Sequence, residues 1–115
     1  MTNQLFEFRL RVLREHGSRE LPQGADGAYV ACYASAPDLH TALARGAAAV
    51  ARMGCRVDDV EAEARAIPAA QWGEYVAKVW PEYAARLPTA SELPARIAEG
   101  AVFFGPFATF ARGSS

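Results

Sequence analysis

The stretch from Leu5 to Leu13 constrains the fold more than any other part of the chain. Phe6, Phe8, Leu10 and Val12 occupy alternate positions, with Glu7, Arg9 and Arg11 between them. Successive side chains of an extended chain point to opposite faces. The alternation therefore predicts a strand with one face on a core and the other toward water. A sheet wetted on one side is characteristically antiparallel. The rest of the chain must supply partner strands and an apolar cover.

Ala28 to Ala34 reads as the second strand. Tyr29 and Tyr33 point one way and Val30 and Cys32 the other, and two apolar faces predict a central position. The connection from His16 to Gly27 is rich in turn residues (Gly17, Ser18, Pro22, Gly24, Asp26) and long for a hairpin. Ser35-Ala36-Pro37-Asp38 opens a helix, with Ser35 as the expected cap, Pro37 in the first turn and Asp38 at the capping-box position. Leu39, Leu43, Gly46, Ala47, Val50 and Met53 recur at helical spacing as its expected buried stripe, and Gly54 stops it.

A third strand is expected from Cys55 to Ile67. Val60, Ala62, Ala64 and Ala66 alternate with Asp59, Glu61, Glu63 and Arg65, and a phase break after Val57 places a bulge at Asp58-Asp59. If the strands flanking the first helix lie parallel in one sheet, the unit is a βαβ crossover. Pro68 opens a second helix, with Trp72, Tyr75, Val76 and Val79 on one side and a break at Trp80 before Pro81. Tyr83 and Leu87 continue that side. Thr89-Ala90-Ser91-Glu92 caps a short helix with Leu93 and Ile97 inward and Gly100 as its stop. Ala101 to Ala111 forms the last strand, and Gly105-Pro106 confines it to an edge or a bulge.

The element order is β-β-α-β-α-α-β. It predicts an α+β fold, with a single mixed or antiparallel sheet and helices packed on one face. A ferredoxin-like plan is the nearest common arrangement, with the first strand as an added or rearranged element. The 115 residues fit one domain, 1–115, with 112–115 as a frayed tail, and a 51% hydrophobic content is ample for a core.

The balance of 12 basic and 13 acidic residues argues against nucleic acid as the main partner and against a polybasic membrane anchor. No basic region leads into an apolar stretch at the amino terminus, and no apolar run approaches the roughly 20 residues of a membrane span. A cytoplasmic location with reduced thiols is expected. Cys32 and Cys55 then read as small core hydrophobes. They show no ligand spacing with His16 or His40, so no metal site, no cofactor and no catalytic set is expected. No glycine-rich phosphate loop is present.

Three features remain as candidate sites. The acidic run Asp58, Asp59, Glu61 and Glu63 would either be neutralised by Arg9 and Arg11 across the sheet or offer a surface to a basic partner. Trp80, beside the helix break, is of a residue type enriched at binding hot spots. Tyr29, Tyr33, Trp72, Phe104, Gly105 and Pro106 would line a pocket or a dimer edge. The leading expectation is a small protein-interaction module of the immunity, antitoxin or regulatory kind, whose partner is another protein or a second copy of itself. The alternatives are a dimeric α+β-barrel that binds or transforms a small molecule, and a structural role.

Overall fold

Two long strands carry the sheet. In the computed structural model, β1 (Gln4–Arg14) and β2 (Gly27–Ala36) pair antiparallel, from Gln4 opposite Ala36 to Leu13 opposite Gly27. The structure describes residues 2–15, 24–60 and 64–110. Most of the long connection, Glu61 and Glu63, and the expected tail lie outside the described residues.

β3 (Cys55–Val60) and β4 (Arg65–Ile67) pair with the free edge of β1. β5 (Val102–Phe104) and β6 (Ala108–Phe110) pair with the free edge of β2. All of these pairings are antiparallel. The sheet is open, with order β3-β1-β2-β5, β4 also on β1 and β6 also on β2. The described helices are α1 (Leu39–Arg52), α2 (Trp72–Val79) and α3 (Leu93–Ala98). β2 and β3 both run against β1 and hence parallel to each other. They are not neighbours, however, and the chain through α1 crosses over β1.

The bulge falls where the phase break placed it. Val12 faces Val57 and Arg11 faces Asp59, so Asp58 is the extra residue. Gly105-Pro106 separates β5 from β6 on an outer position of the sheet, as proline's missing donor requires. At the other end of β2, Gly27 lies beneath the Phe110 ring. A Cβ there would collide with that ring and with the Val12 carbonyl oxygen.

The sheet has helices on both faces, which corrects the expectation of helices on one face. The even-numbered face of β1 and β2 (Phe8, Leu10, Val12, Ala28, Val30, Cys32 and Ala34) packs with Ala42 and Val50 of α1. The odd-numbered face holds a second core, in which Leu5, Ala31 and Tyr33 meet Ile67, Trp72, Val76, Leu87 and Leu93. The polar face read for the first strand is therefore dry at its Leu5 end and wet only around Arg9 and Arg11. Leu5 and Tyr33 account for the difference. They are large apolar or aromatic groups on that face, and their burial needs a second layer.

The helix boundaries also shift. Asp38, not Ser35, caps α1, accepting the Thr41 backbone N–H at 2.7 Å. That bond holds the Asp38 carboxyl below its ordinary range. Ser35 and Ala36 still belong to β2. The stripe of α1 that meets the sheet is Ala42, Gly46, Ala49 and Val50, with Leu43 and Met53 half-buried, while Leu39 and Ala47 are exposed. Gly54, with φ +78°, ends the helix as expected. α2 ends at Trp80, whose φ −129° and ψ 51° leave the helical region just before Pro81. Thr89 and Glu92 form a reciprocal capping box ahead of α3: Oγ1 of Thr89 accepts the Glu92 N–H at 3.2 Å, and Oε1 of Glu92 accepts the Thr89 N–H at 2.9 Å.

Candidate functional site: an aromatic groove beside Trp80

α2 and α3 cover only part of the odd-numbered face. Where they end, an aromatic cluster grades from buried to exposed. Tyr33 is fully buried at its centre, 5.3 Å from Trp72, 5.5 Å from Phe103 and 5.9 Å from Tyr75, ring centre to ring centre. Helical spacing puts Trp72 in this core, and its indole N–H donates to the Pro88 carbonyl at 2.8 Å.

The hydroxyl of Tyr33 is not stranded there. It accepts the Trp80 indole N–H at 2.6 Å and shares a 2.5 Å hydrogen bond with the Tyr75 hydroxyl. Tyr75 in turn donates to the Glu7 carboxylate, whose other oxygen accepts Nε of Arg65 at 2.7 Å. A polar chain thus runs from the solvent at Arg65 through Glu7, Tyr75 and Tyr33 to Trp80. Burial raises the ionisation range of both phenols. For Tyr33 the bonds from Tyr75 and Trp80 offset part of this, whereas for Tyr75 the Glu7 carboxylate adds to it.

Trp80 is half-buried and clamped from three sides. Its N–H is held by Tyr33, and its six-membered ring lies over Gly105 and beside Pro106. Beyond it no described helix covers the sheet. A groove opens there, floored by Ala31, walled by Tyr29, Trp80 and Pro106, and flanked by Arg9. A second lobe continues on the far side of Trp80 and Pro106, lined by Val79, Pro81, Glu82 and Tyr83. Tyr29 and Val79 are both about 40% exposed. Tyr29 leans on Phe110 at 5.3 Å, and the Arg11 guanidinium sits over that ring at 4.9 Å.

The sequence-picked residues therefore separate into groups. Tyr29, Trp80 and Pro106 come together in the groove, with Gly105 under the Trp80 ring. Tyr33 and Trp72 lie beneath it as support. Phe104 pairs with Cys32 and turns into the α1 core on the opposite face. Gly105 spends its N–H on the Ala31 carbonyl at 2.9 Å. Asp58 forms an ion pair with Arg11, and the Asp59 carboxylate accepts the Val60 N–H at 2.9 Å. The described half of the acidic run is thus partly neutralised from within the sheet. Glu61 and Glu63 lie outside the described residues.

Glu7, Tyr75 and Arg65 are part of the support that sequence reasoning missed. Glu7 and Tyr33 are register partners across β1 and β2, so their meeting becomes legible only once the hairpin register is fixed. Among the described residues, no group of three or more His, Cys, Asp or Glu side chains is placed to hold a metal ion. Burial pushes the Cys32 thiol up to about 12, far from nucleophilic range. No described helix is long and apolar enough to cross a membrane. No protein-family model, no curated protein and no solved structure matches the chain.

Proposed function

We propose that this chain is a small protein-interaction module that receives its partner in the groove of Tyr29, Trp80 and Pro106. One observation carries the reading. Four separate segments converge to build the groove, namely β1 (Arg9), β2 (Tyr29), the end of α2 (Trp80) and the β5–β6 link (Pro106). Tyr, Trp and Arg are the residue types that dominate binding hot spots. The buried hydrogen bond beneath Trp80 fixes that ring before any partner arrives, which lowers the entropy lost on binding.

The sheet edges are poorer candidates. β3 is charged and bulged, and β5–β6 is interrupted by proline, both of which are devices that discourage strand addition. The face, not the edge, is the docking surface. A second reading keeps the same face but makes the partner another copy of this chain, closing over the exposed Tyr29 and the half-buried Phe110 beside it.

Photo-crosslinking in the native host tests both. A benzophenone amino acid in place of Tyr29 should give a light-dependent adduct that Arg9→Glu removes. The same group at Ala47, exposed on α1, should give none. An adduct of twice the chain mass identifies the self-association reading. Equal labelling at positions 29 and 47, or none at 29, overturns the proposal.

A further inference from the structure

The groove also specifies what kind of chain it accepts. Resting on the reading of this face as the docking surface, we infer that the occupant is a proline-rich segment in the polyproline II conformation. It lies across Trp80 with an acidic residue beside Arg9 and a basic residue beside Glu82.

The Gly105-Pro106 wall of the groove has no free donor for strand pairing. Gly105 has committed its N–H to Ala31, and Pro106 has none to offer. An occupant lying along this wall is favoured if its backbone needs no partner from the protein. A polyproline II chain has no internal hydrogen bonds and a backbone that remains hydrated, and prolines give it this shape in advance. An α-helix satisfies its own backbone too, but it is about 10–12 Å across. The groove has two lobes, of about 460 and 210 Å³, on either side of the Trp80–Pro106 ridge, and a narrow strand crosses that ridge with side chains directed into both.

The walls match such side chains. Tyr29, Trp80 and Tyr83 offer flat rings, and Val79, Pro81 and Pro106 fill the spaces between them. Aromatic-lined grooves are the recurring receptors for proline-rich strands, because a pyrrolidine ring packs flat on an aromatic face. The ends are charged with opposite sign. Arg9 borders the lobe of Tyr29, Glu82 borders the lobe of Tyr83, and both are exposed. Opposite charges at the two ends fix the direction of the bound strand.

The test uses the full chain, isotopically labelled for NMR, and peptides of about eight prolines, long enough to form the three-residue repeat. One peptide carries lysine first and aspartate last, one the reverse, and a glycine-serine peptide carries the same end charges. One proline peptide should shift the Trp80 indole and Gly105 amide signals and bind more tightly than its reverse. Tyr29→Ala should weaken that binding by about tenfold or more. Arg9→Glu should weaken it too, with recovery when the aspartate is exchanged for lysine. If Tyr29→Ala loses its dispersed spectrum, the Arg9→Glu exchange decides alone.

No shift at about millimolar peptide, equal binding of the glycine-serine peptide, or no response to either substitution overturns the inference. A crosslink at position 29 to a partner without a proline tract would retain the docking surface and reject this occupant. Absence of the crosslink would remove both.

Discussion

Tyr33 is wholly enclosed yet ends in a hydroxyl, and two further polar side chains, Tyr75 and Trp80, keep that hydroxyl satisfied. Removing one of them exposes the design. Tyr75→Phe deletes the bond to Tyr33 and the bond to Glu7 while keeping the ring against Trp72. The expected cost is about 1–3 kcal/mol, read as a lower urea midpoint with an unchanged denaturant slope. The same burial governs the alkaline side of the stability curve. Cys32, Tyr33 and Tyr75 all ionise by losing a proton, and all three ionise later in the folded chain than their ordinary values of 9 and 10. Their contribution is complete below those ordinary values. It declines as pH rises past about 9, continuing through about 12 for Cys32, because the unfolded chain releases these protons first. Unfolding measured from pH 8 upward should show this decline, and Tyr75→Phe should make it shallower. A flat profile over that range would contradict the burial of these groups.

At the level of elements, the start of α1 offers a sharp discrimination. Ser35 and Asp38 both have cap chemistry, and local signals favoured the serine. The structure gives the cap to Asp38 and leaves Oγ of Ser35 buried without a hydrogen-bond partner among the described residues. Asp38→Ala should cost about 1 kcal/mol, the usual loss for an N-cap, whereas Ser35→Ala should be neutral or stabilising. Thermal unfolding of the two variants side by side checks this, and the opposite ranking would restore Ser35 as the cap. The reason Ser35 misled is that β2 runs two residues past the predicted end of its strand. Pairing with β1 through Gln4 and Leu5 holds Ser35 and Ala36 in the sheet, and this long-range pairing outweighs the local capping preference. The α1 stripe was displaced for a related reason, since its facing residues depend on where the helix begins. By contrast, the Asp58 bulge, the break at Trp80, the Thr89–Glu92 box and the glycine stops were all legible. Each is governed by residues adjacent in sequence.

For the whole molecule, β1 and β2 are one wall shared by two cores. Leu10 points into the α1 core and Leu93 belongs to the other, and both are almost completely buried. Because alternate residues of the same two strands serve both layers, neither core can open without disturbing the other. Leu10→Ala and Leu93→Ala should each cost about 2–5 kcal/mol. Both should lower one common transition, with far-UV dichroism and Trp72-sensitive near-UV signals coinciding. Two separable transitions would show that the layers unfold independently. The sequence revealed that a sheet and helices would form, and it placed Tyr29 and Trp80 among the residues of interest. It did not reveal that Trp80, forty-seven residues beyond Tyr33, would rest on it. Strand order and the second helical layer are set by contacts between distant segments, which leave no periodic trace.

The seat of Phe110 on Gly27 gives the sheet a latch. The ring closes over the one position in β2 where a hydrogen atom stands in place of a side chain, and the Phe110 carbonyl accepts the Asp26 N–H at 2.8 Å beside it. A single methyl group at position 27 is then a wedge. Gly27→Ala should release β6 from β2 and strain the β1–β2 pairing at Val12, speeding hydrogen exchange at Asp26 and Tyr29 while amides of the Tyr33 region remain slow. Undisturbed protection at Asp26 would mean that the ring has another place to rest. The final strand, and with it the Phe110 support for Tyr29, is thus fastened at a glycine that also abuts the β1 backbone. One wall of the groove therefore leans on a contact that depends on a glycine outside it.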